Sequence, residues 1–254
     1  MKLSLSNGIF SNLGLEKNFR AIEKFGFENI EFNMKTVRRE NDTVVYAARK
    51  LLDASGLNCL TLHSATLNVK DEVEIPRAVY YGKISLEFAQ KFSAPIMTVH
   101  SNISKKLSPT YRGKCLIRIF GELNDYAKSL GVKLALENLS YTSLGFGKNV
   151  DQLEEILSTM GDGDMEITFD FCHALETKQK DSLLQKYSKR ICNVHMSDKF
   201  HKPFVEPRQE LTLFLTQLHE QGYDGPITLE LDHKTPIGEI AKSKALFDSL
   251  LREF

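Results

Sequence analysis

The chain has 254 residues, 42% of them hydrophobic and 26% charged. This is the composition of an ordinary globular protein, not of a disordered chain, a collagen or a coiled-coil rod. Its 33 Lys and Arg balance 33 Asp and Glu, so no long-range basic field draws it to nucleic acid, although a local basic patch is compatible with neutrality. The cysteines Cys59, Cys115, Cys172 and Cys192 are scattered with no C-x-x-C pair, and read as buried free thiols in a reducing compartment. The opening MKLSLSNGIF carries too short an apolar stretch for a signal peptide. No run approaches the roughly 18 apolar residues of a membrane span. The expectation is a cytoplasmic protein with no membrane partner.

Short apolar, partly β-branched runs recur along the chain. They predict strands at 2–6, 29–32, 59–63, 95–100, 132–137, 166–170, 191–195 and 226–231. Helical periodicity fills the stretches between them. After the first strand, Leu15, Phe19, Ala21, Ile22 and Phe25 share one face. After the fourth, a longer helix over 111–130 aligns Leu116, Ile119, Phe120, Leu123, Tyr126 and Ala127. Gly26, Gly56, Gly131 and Gly222 each follow such a stretch and precede a strand, the position expected of a glycine just past a helix end. Strand starts spaced about one βα unit apart, with no long spacer, predict an α/β fold: a single (β/α)8 TIM barrel forming one domain over 1–254. An open doubly wound sheet is the alternative. It lacks its usual glycine-rich turn, because the first strand leads into Ser6-Asn7-Gly8-Ile9-Phe10, and Gly145-Phe146-Gly147 is a lone G-x-G in a loop.

In such a barrel the working face is the C-terminal edge of the strands. Strand three ends in His63, strand four in His100 and strand five in Glu137-Asn138. Strand six ends in Asp170 and then His173, strand seven in His195 followed by Asp198 and His201, and strand eight in Glu230. The strand ends converge on one mouth, and carboxylates crowded there repel one another unless a cation balances them. Imidazoles mixed with carboxylates suit a divalent ion such as Zn²⁺ or Mn²⁺.

These segments resemble the xylose-isomerase-like TIM barrel superfamily, which groups sugar (and sugar phosphate) isomerases and epimerases with endonuclease IV. The resemblance runs over essentially the whole chain. It rests on Phe25-Gly26-Phe27-Glu28-Asn29-Ile30-Glu31-Phe32, His63, His100, Leu134-Ala135-Leu136-Glu137-Asn138, Asp170-Phe171-Cys172-His173-Ala174, His195-Met196-Ser197-Asp198 and Leu229-Glu230. It implies one divalent ion (Mn²⁺, Mg²⁺ or Zn²⁺) held by Glu137, Asp170, His195 and Glu230. His63, His100, His173 and His201 match positions that bind substrate or, in the endonuclease, a second or third Zn²⁺. Lys199 stands where the endonuclease carries an Asp, and Phe204-Val205-Glu206-Pro207 replaces the family's Gly-Glu-Gly. Both departures argue against a complete trinuclear site.

Two chemistries fit this mouth. In the first, a metal-dependent sugar or sugar phosphate isomerase or epimerase of carbohydrate metabolism, the ion polarises a carbonyl and stabilises an enediolate while Glu137 and Glu230 move the proton. His173 orients a substrate hydroxyl or the metal shell, and Asp198 is the expected partner behind His195. The partner is then a small sugar or sugar phosphate. In the second, an endonuclease IV-like phosphodiesterase acts on abasic DNA, gripping it through Lys35-Thr36-Val37-Arg38-Arg39 and Ser104-Lys105-Lys106. A barrel that binds a metal or polyol without catalysis is a third reading. Phe10, Phe32, Met34 and Phe146 are either pocket wall or ordinary packing. The sequence leaves both the particular sugar and homo-oligomerisation open.

Overall fold

The structure is a computed structural model that describes residues 1–37, 42–161 and 165–254. Eight parallel strands close into a barrel in chain order: β1 (Lys2–Ser6), β2 (Asn29–Asn33), β3 (Asn58–His63), β4 (Ile96–His100), β5 (Lys133–Glu137), β6 (Glu166–Asp170), β7 (Ile191–Met196) and β8 (Pro226–Leu229). The barrel closes where Lys2 to Leu5 pair with Pro226 to Leu229. The open-sheet alternative is thereby excluded. Among the described residues no helix is long and apolar enough to cross a membrane.

The expected glycines terminate helices in the left-handed conformation, with φ of +72° at Gly26, +67° at Gly56, +68° at Gly131 and +78° at Gly222. A residue with a Cβ is strained in that region. The helix expected over 111–130 divides into α1 (Pro109–Leu116), a π turn over Ile117–Gly121 and α2 (Glu122–Leu130). Buried residues keep i, i+3 and i+4 spacing through it, with Arg112, Cys115 and Leu116 before the turn, Ile119 and Phe120 within it, and Leu123, Asn124 and Ala127 after it.

All-parallel sheets covered by helices usually read as near-continuous apolar runs. This barrel alternates instead. Leu5, Ile30, Phe32, Leu62, Met97, Val99, Leu134, Leu136, Phe169, Val194 and Leu229 are buried in the main apolar cluster. The residues between them, Ser4, Glu31, Thr61, Thr98, Thr168, Asn193 and Thr228, are polar and have no solvent exposure. Their hydrogen bonds cross the lumen: Thr98 and Thr168 hydroxyls lie 2.8 Å apart, Asn193 donates to Thr98 at 3.2 Å, and Thr228 donates to Asn193 at 3.3 Å. The first two pairs join strands that are not neighbours, β4 with β6 and β7 with β4, and the third joins the adjacent β7 and β8, so a polar network runs through the lumen. The main apolar core lies outside it, between sheet and helices. Phe10, Phe32, Met34 and Phe146 all belong to packing: Phe10 stacks on Phe25, while Phe32, Met34 and Phe146 are buried.

Candidate metal centre

The period of two that points Thr61, Thr98 and Thr168 inward carries up each strand to its last residue. Register pairs His100 with Glu137 and Asp170 with His195, so adjacent strand ends deliver their ligand-type side chains at one level. Glu137, Asp170, His195 and Glu230 each present an atom within 4.8 Å of one another. His63 and His100 form a second such group with Glu137.

Local hydrogen bonds fix which atom each residue presents. Asn138 clamps the ends of β5 and β6, since its amide donates to the Asp170 carbonyl at 2.9 Å and its side-chain oxygen accepts the Asp170 N–H at 2.8 Å. Asp170 Oδ1 caps α3 (Phe171–Glu176) by accepting the His173 N–H at 2.6 Å, the usual work of an N-cap aspartate. Its Oδ2 is left buried and without a hydrogen bond. His173 Nδ1 lies 2.9 Å from the Asn138 carbonyl and therefore carries the proton, since a carbonyl only accepts.

His195 is held from behind by Glu31, whose Oε2 lies 2.8 Å from Nε2. A carboxylate accepts, so Nε2 donates and Nδ1 presents a lone pair. That lone pair faces Glu230 Oε2 at 3.2 Å, Glu137 Oε2 at 3.4 Å and Asp170 Oδ2 at 3.9 Å. His195 Nδ1, both Glu137 oxygens and Asp170 Oδ2 are buried with no hydrogen-bond partner. Three carboxylates around an imidazole lone pair are mutually repulsive unless a cation lies among them or a proton occupies Nδ1. The donor set therefore fits a divalent ion bound by one nitrogen and three oxygens.

His63 repeats the pattern. Its Nδ1 meets the Ser64 carbonyl at 3.2 Å, so Nε2 turns toward Glu137 Oε2 at 3.4 Å, beside His100 Nε2 at 2.9 Å from the same oxygen. Both ring nitrogens are buried without hydrogen-bond geometry to a partner. His201 sits further out, one-third exposed, with Nδ1 3.2 Å from the Glu230 carbonyl and 3.9 Å from its carboxylate.

Burial raises the Glu137 carboxyl, but His100 and His195 outweigh it and hold Glu137 well below the usual carboxylate range. Glu230, also raised by burial, is brought well below that range by His195. Asp170 is raised, chiefly by burial. Burial opposes charge on the imidazoles, yet Glu31, Glu137 and Glu230 raise His195 well above its ordinary value. His173, likewise disfavoured by burial, is raised by Asp170 and Glu137 to about 10. Without a cation, protons on the imidazoles are what balance these carboxylates.

One expectation changes. Asp198 is not the partner behind His195: its carboxylate pairs with Arg208 at 2.8 Å, and it is Glu31, from the opposite side of the barrel, that reaches Nε2. Closeness in sequence misleads here, because the chain turns away after β7 while β2 faces His195 across the lumen. Glu31 was legible only as part of a resembling phrase. The period of two in β2, which places Asn29, Glu31 and Asn33 on one face, is the signal that could have found it. Of the basic segments, Lys35, Lys105 and Lys106 are exposed, and Arg38 and Arg39 lie outside the described residues.

Arg112, on the helix Pro109–Leu116, clasps the loop after β5 through Phe146. It donates to Glu155 Oε1 from Nε and Nη2, donates to the Leu107 carbonyl, and lies 3.9 Å over the Phe146 ring. Under that clasp a Cβ on Gly145 would sit 2.5 Å from the Ser101 carbonyl oxygen and 2.9 Å from Leu139. Gly145→Ala is expected to destabilise the fold by about 1–3 kcal/mol through overpacking, measured as a lowered urea midpoint. An unchanged midpoint would show that the loop shifts freely.

A (β/α)8 barrel with a carboxylate–imidazole cluster at the C-terminal strand ends is the class that fold and site define. The chain belongs to the family described as Xylose isomerase-like TIM barrel, whose pattern matches residues 19–250. It is 24% identical over 239 residues to an inosose isomerase of Halalkalibacterium halodurans, covering 87% of this chain and 83% of that protein. The alignment to one uncharacterised curated relative spans 60% of that protein's length. Among solved structures, a D-tagatose 3-epimerase-like protein superposes with a TM-score of 0.83 at 22% identity, covering 99% of this chain and 97% of that one. The IolI protein with a bound zinc atom superposes with a TM-score of 0.79 at 21% identity, covering 100% and 99%.

Proposed function

We propose that this protein is a divalent-metal-dependent isomerase or epimerase of a sugar or polyol-derived ketone. The observation that carries the reading is His195 Nδ1 enclosed by carboxylate oxygens of Glu137, Asp170 and Glu230, with Nδ1, both Glu137 oxygens and Asp170 Oδ2 buried and without a hydrogen bond. Glu137, Asp170, His195 and Glu230 would hold one ion, which when bound polarises the substrate carbonyl and acidifies its α proton. The inosose isomerase and epimerase relatives support a small polyhydroxylated substrate, and the zinc in IolI supports a metal.

The chain's own residues divide the remaining work. Glu137 is fully enclosed, whereas the Glu230 side chain is 15% exposed and lines a cavity of about 200 Å³ with Asn33, Lys35, His201 and Asp232. A substrate in that cavity meets Glu230 directly, so Glu230 is the carboxylate placed to take or return a proton. His173, with Nδ1 committed to Asn138, keeps Nε2 for a substrate hydroxyl. The test is wash-in of solvent deuterium at the α-carbon across a panel of ketoses and inososes, with Mn²⁺, Mg²⁺ or Zn²⁺ added. Exchange with at least one substrate is expected, and exchange with none would overturn the reading.

One observation favours a second reading. The His63–His100–Glu137 group suits another cation, and two or more metal ions serve phosphodiester hydrolysis. An endonuclease IV-like enzyme would retain two or three Zn²⁺ per chain and incise an abasic-site duplex. One ion per chain and no incision would exclude it.

A further inference from the structure

We propose that Glu31 is a positioning residue that selects the nitrogen His195 offers to the ion; this rests on the metal-binding reading above. Glu31 lies mid-strand in β2 with no solvent exposure, opposite β7. A carboxylate in such a place is costly to bury unless its charge is used. Its Oε2 takes two donors, Thr61 Oγ1 at 3.0 Å and His195 Nε2 at 2.8 Å. Thr61 comes from the neighbouring strand and His195 from across the lumen, so the carboxylate is fixed from two directions.

The consequence concerns the imidazole. A neutral histidine has two tautomers of similar energy and a ring that can rotate. The hydrogen bond to Glu31 puts the proton on Nε2 and leaves the lone pair on Nδ1, the atom that faces Glu137, Asp170 and Glu230. A charged acceptor behind the ring also makes Nδ1 a stronger donor to a cation. Partners of this kind typically change metal affinity by about 10–100-fold. Glu31 touches neither the ion position nor the cavity, so its effect passes through His195.

The test compares wild type, Glu31→Gln and Thr61→Val by calorimetric titration with Mn²⁺ and by the visible absorption of the Co²⁺-loaded proteins. Glu31→Gln is expected to bind about 10–100-fold more weakly and to shift the Co²⁺ bands. Thr61→Val removes the second donor to the same carboxylate while keeping the Glu31–His195 bond, and should weaken binding by less than Glu31→Gln does. Circular dichroism of the metal-free proteins checks folding. If Glu31→Gln does not fold, Glu31→Asp replaces it: it keeps the charge but is one methylene too short to reach Nε2, and the same loss is expected. Wild-type affinity and an unchanged Co²⁺ spectrum in the folded variant would overturn the positioning role while leaving the metal site standing. Absence of binding in the wild type would overturn both.

Discussion

Glu137→Gln is expected to lose its metal and to lower α-proton exchange by about 10³-fold, the scale of losing the electrostatic stabilisation of the charge that develops on the substrate. The size follows from where the residue sits. Glu137 lies within 3.4 Å of ring nitrogens of His63, His100, His173 and His195, and is the one residue shared by both ligand-type groups. The amide is isosteric, so the cavity and the fold are preserved. It carries no charge, however, and turns either an N–H or a weak carbonyl toward the ion. Elemental analysis after dialysis and deuterium exchange measure the two losses separately. Full metal content with wild-type exchange would remove Glu137 from the site.

Chelation should lower the melting temperature by about 5–10 °C relative to protein held with the ion at a hundred times its dissociation constant. At that excess, binding to the native state alone contributes about 2.7 kcal/mol, and about 2–4 °C accompanies each kcal/mol in a chain near this size. The effect has a pH sign. His195 is raised well above its usual value, with burial opposing and Glu31, Glu137 and Glu230 driving the rise. In the metal-free site a proton therefore competes with the ion for Nδ1. Apparent affinity should rise with pH, about tenfold per unit for each proton expelled, until the imidazole titrates. Calorimetry at several pH values in buffers of different ionisation enthalpy reads the proton count. A melting temperature indifferent to chelator would contradict the proposed site.

The strand-end residues were readable because a parallel barrel brings every C-terminal strand end to one rim. His63, His100, Glu137, Asp170, His195 and Glu230 needed only strand boundaries to be placed there, and those boundaries followed from apolar runs that helix-ending glycines set apart. Glu31 was harder, because its partner comes from β7, 164 positions away, and the pairing depends on the cross-section of the closed barrel. Asp198 is the converse case: it is close to His195 along the chain, but its carboxylate is turned to Arg208. The π turn over Ile117–Gly121 was hidden because the i, i+3 and i+4 spacing of buried residues runs through it unbroken.

The polar lumen separates two tasks along each strand. Odd and even positions answer to different selection: one set adheres to the helices, the other faces a shared interior of hydroxyls, amides and acids. A mutation at an inward threonine or asparagine can alter the chemistry available at the rim while the helix-facing set keeps the sheet wrapped. Such a scaffold can drift among substrates by exchanging inward residues, one interior position at a time, with its outer shell of contacts unchanged.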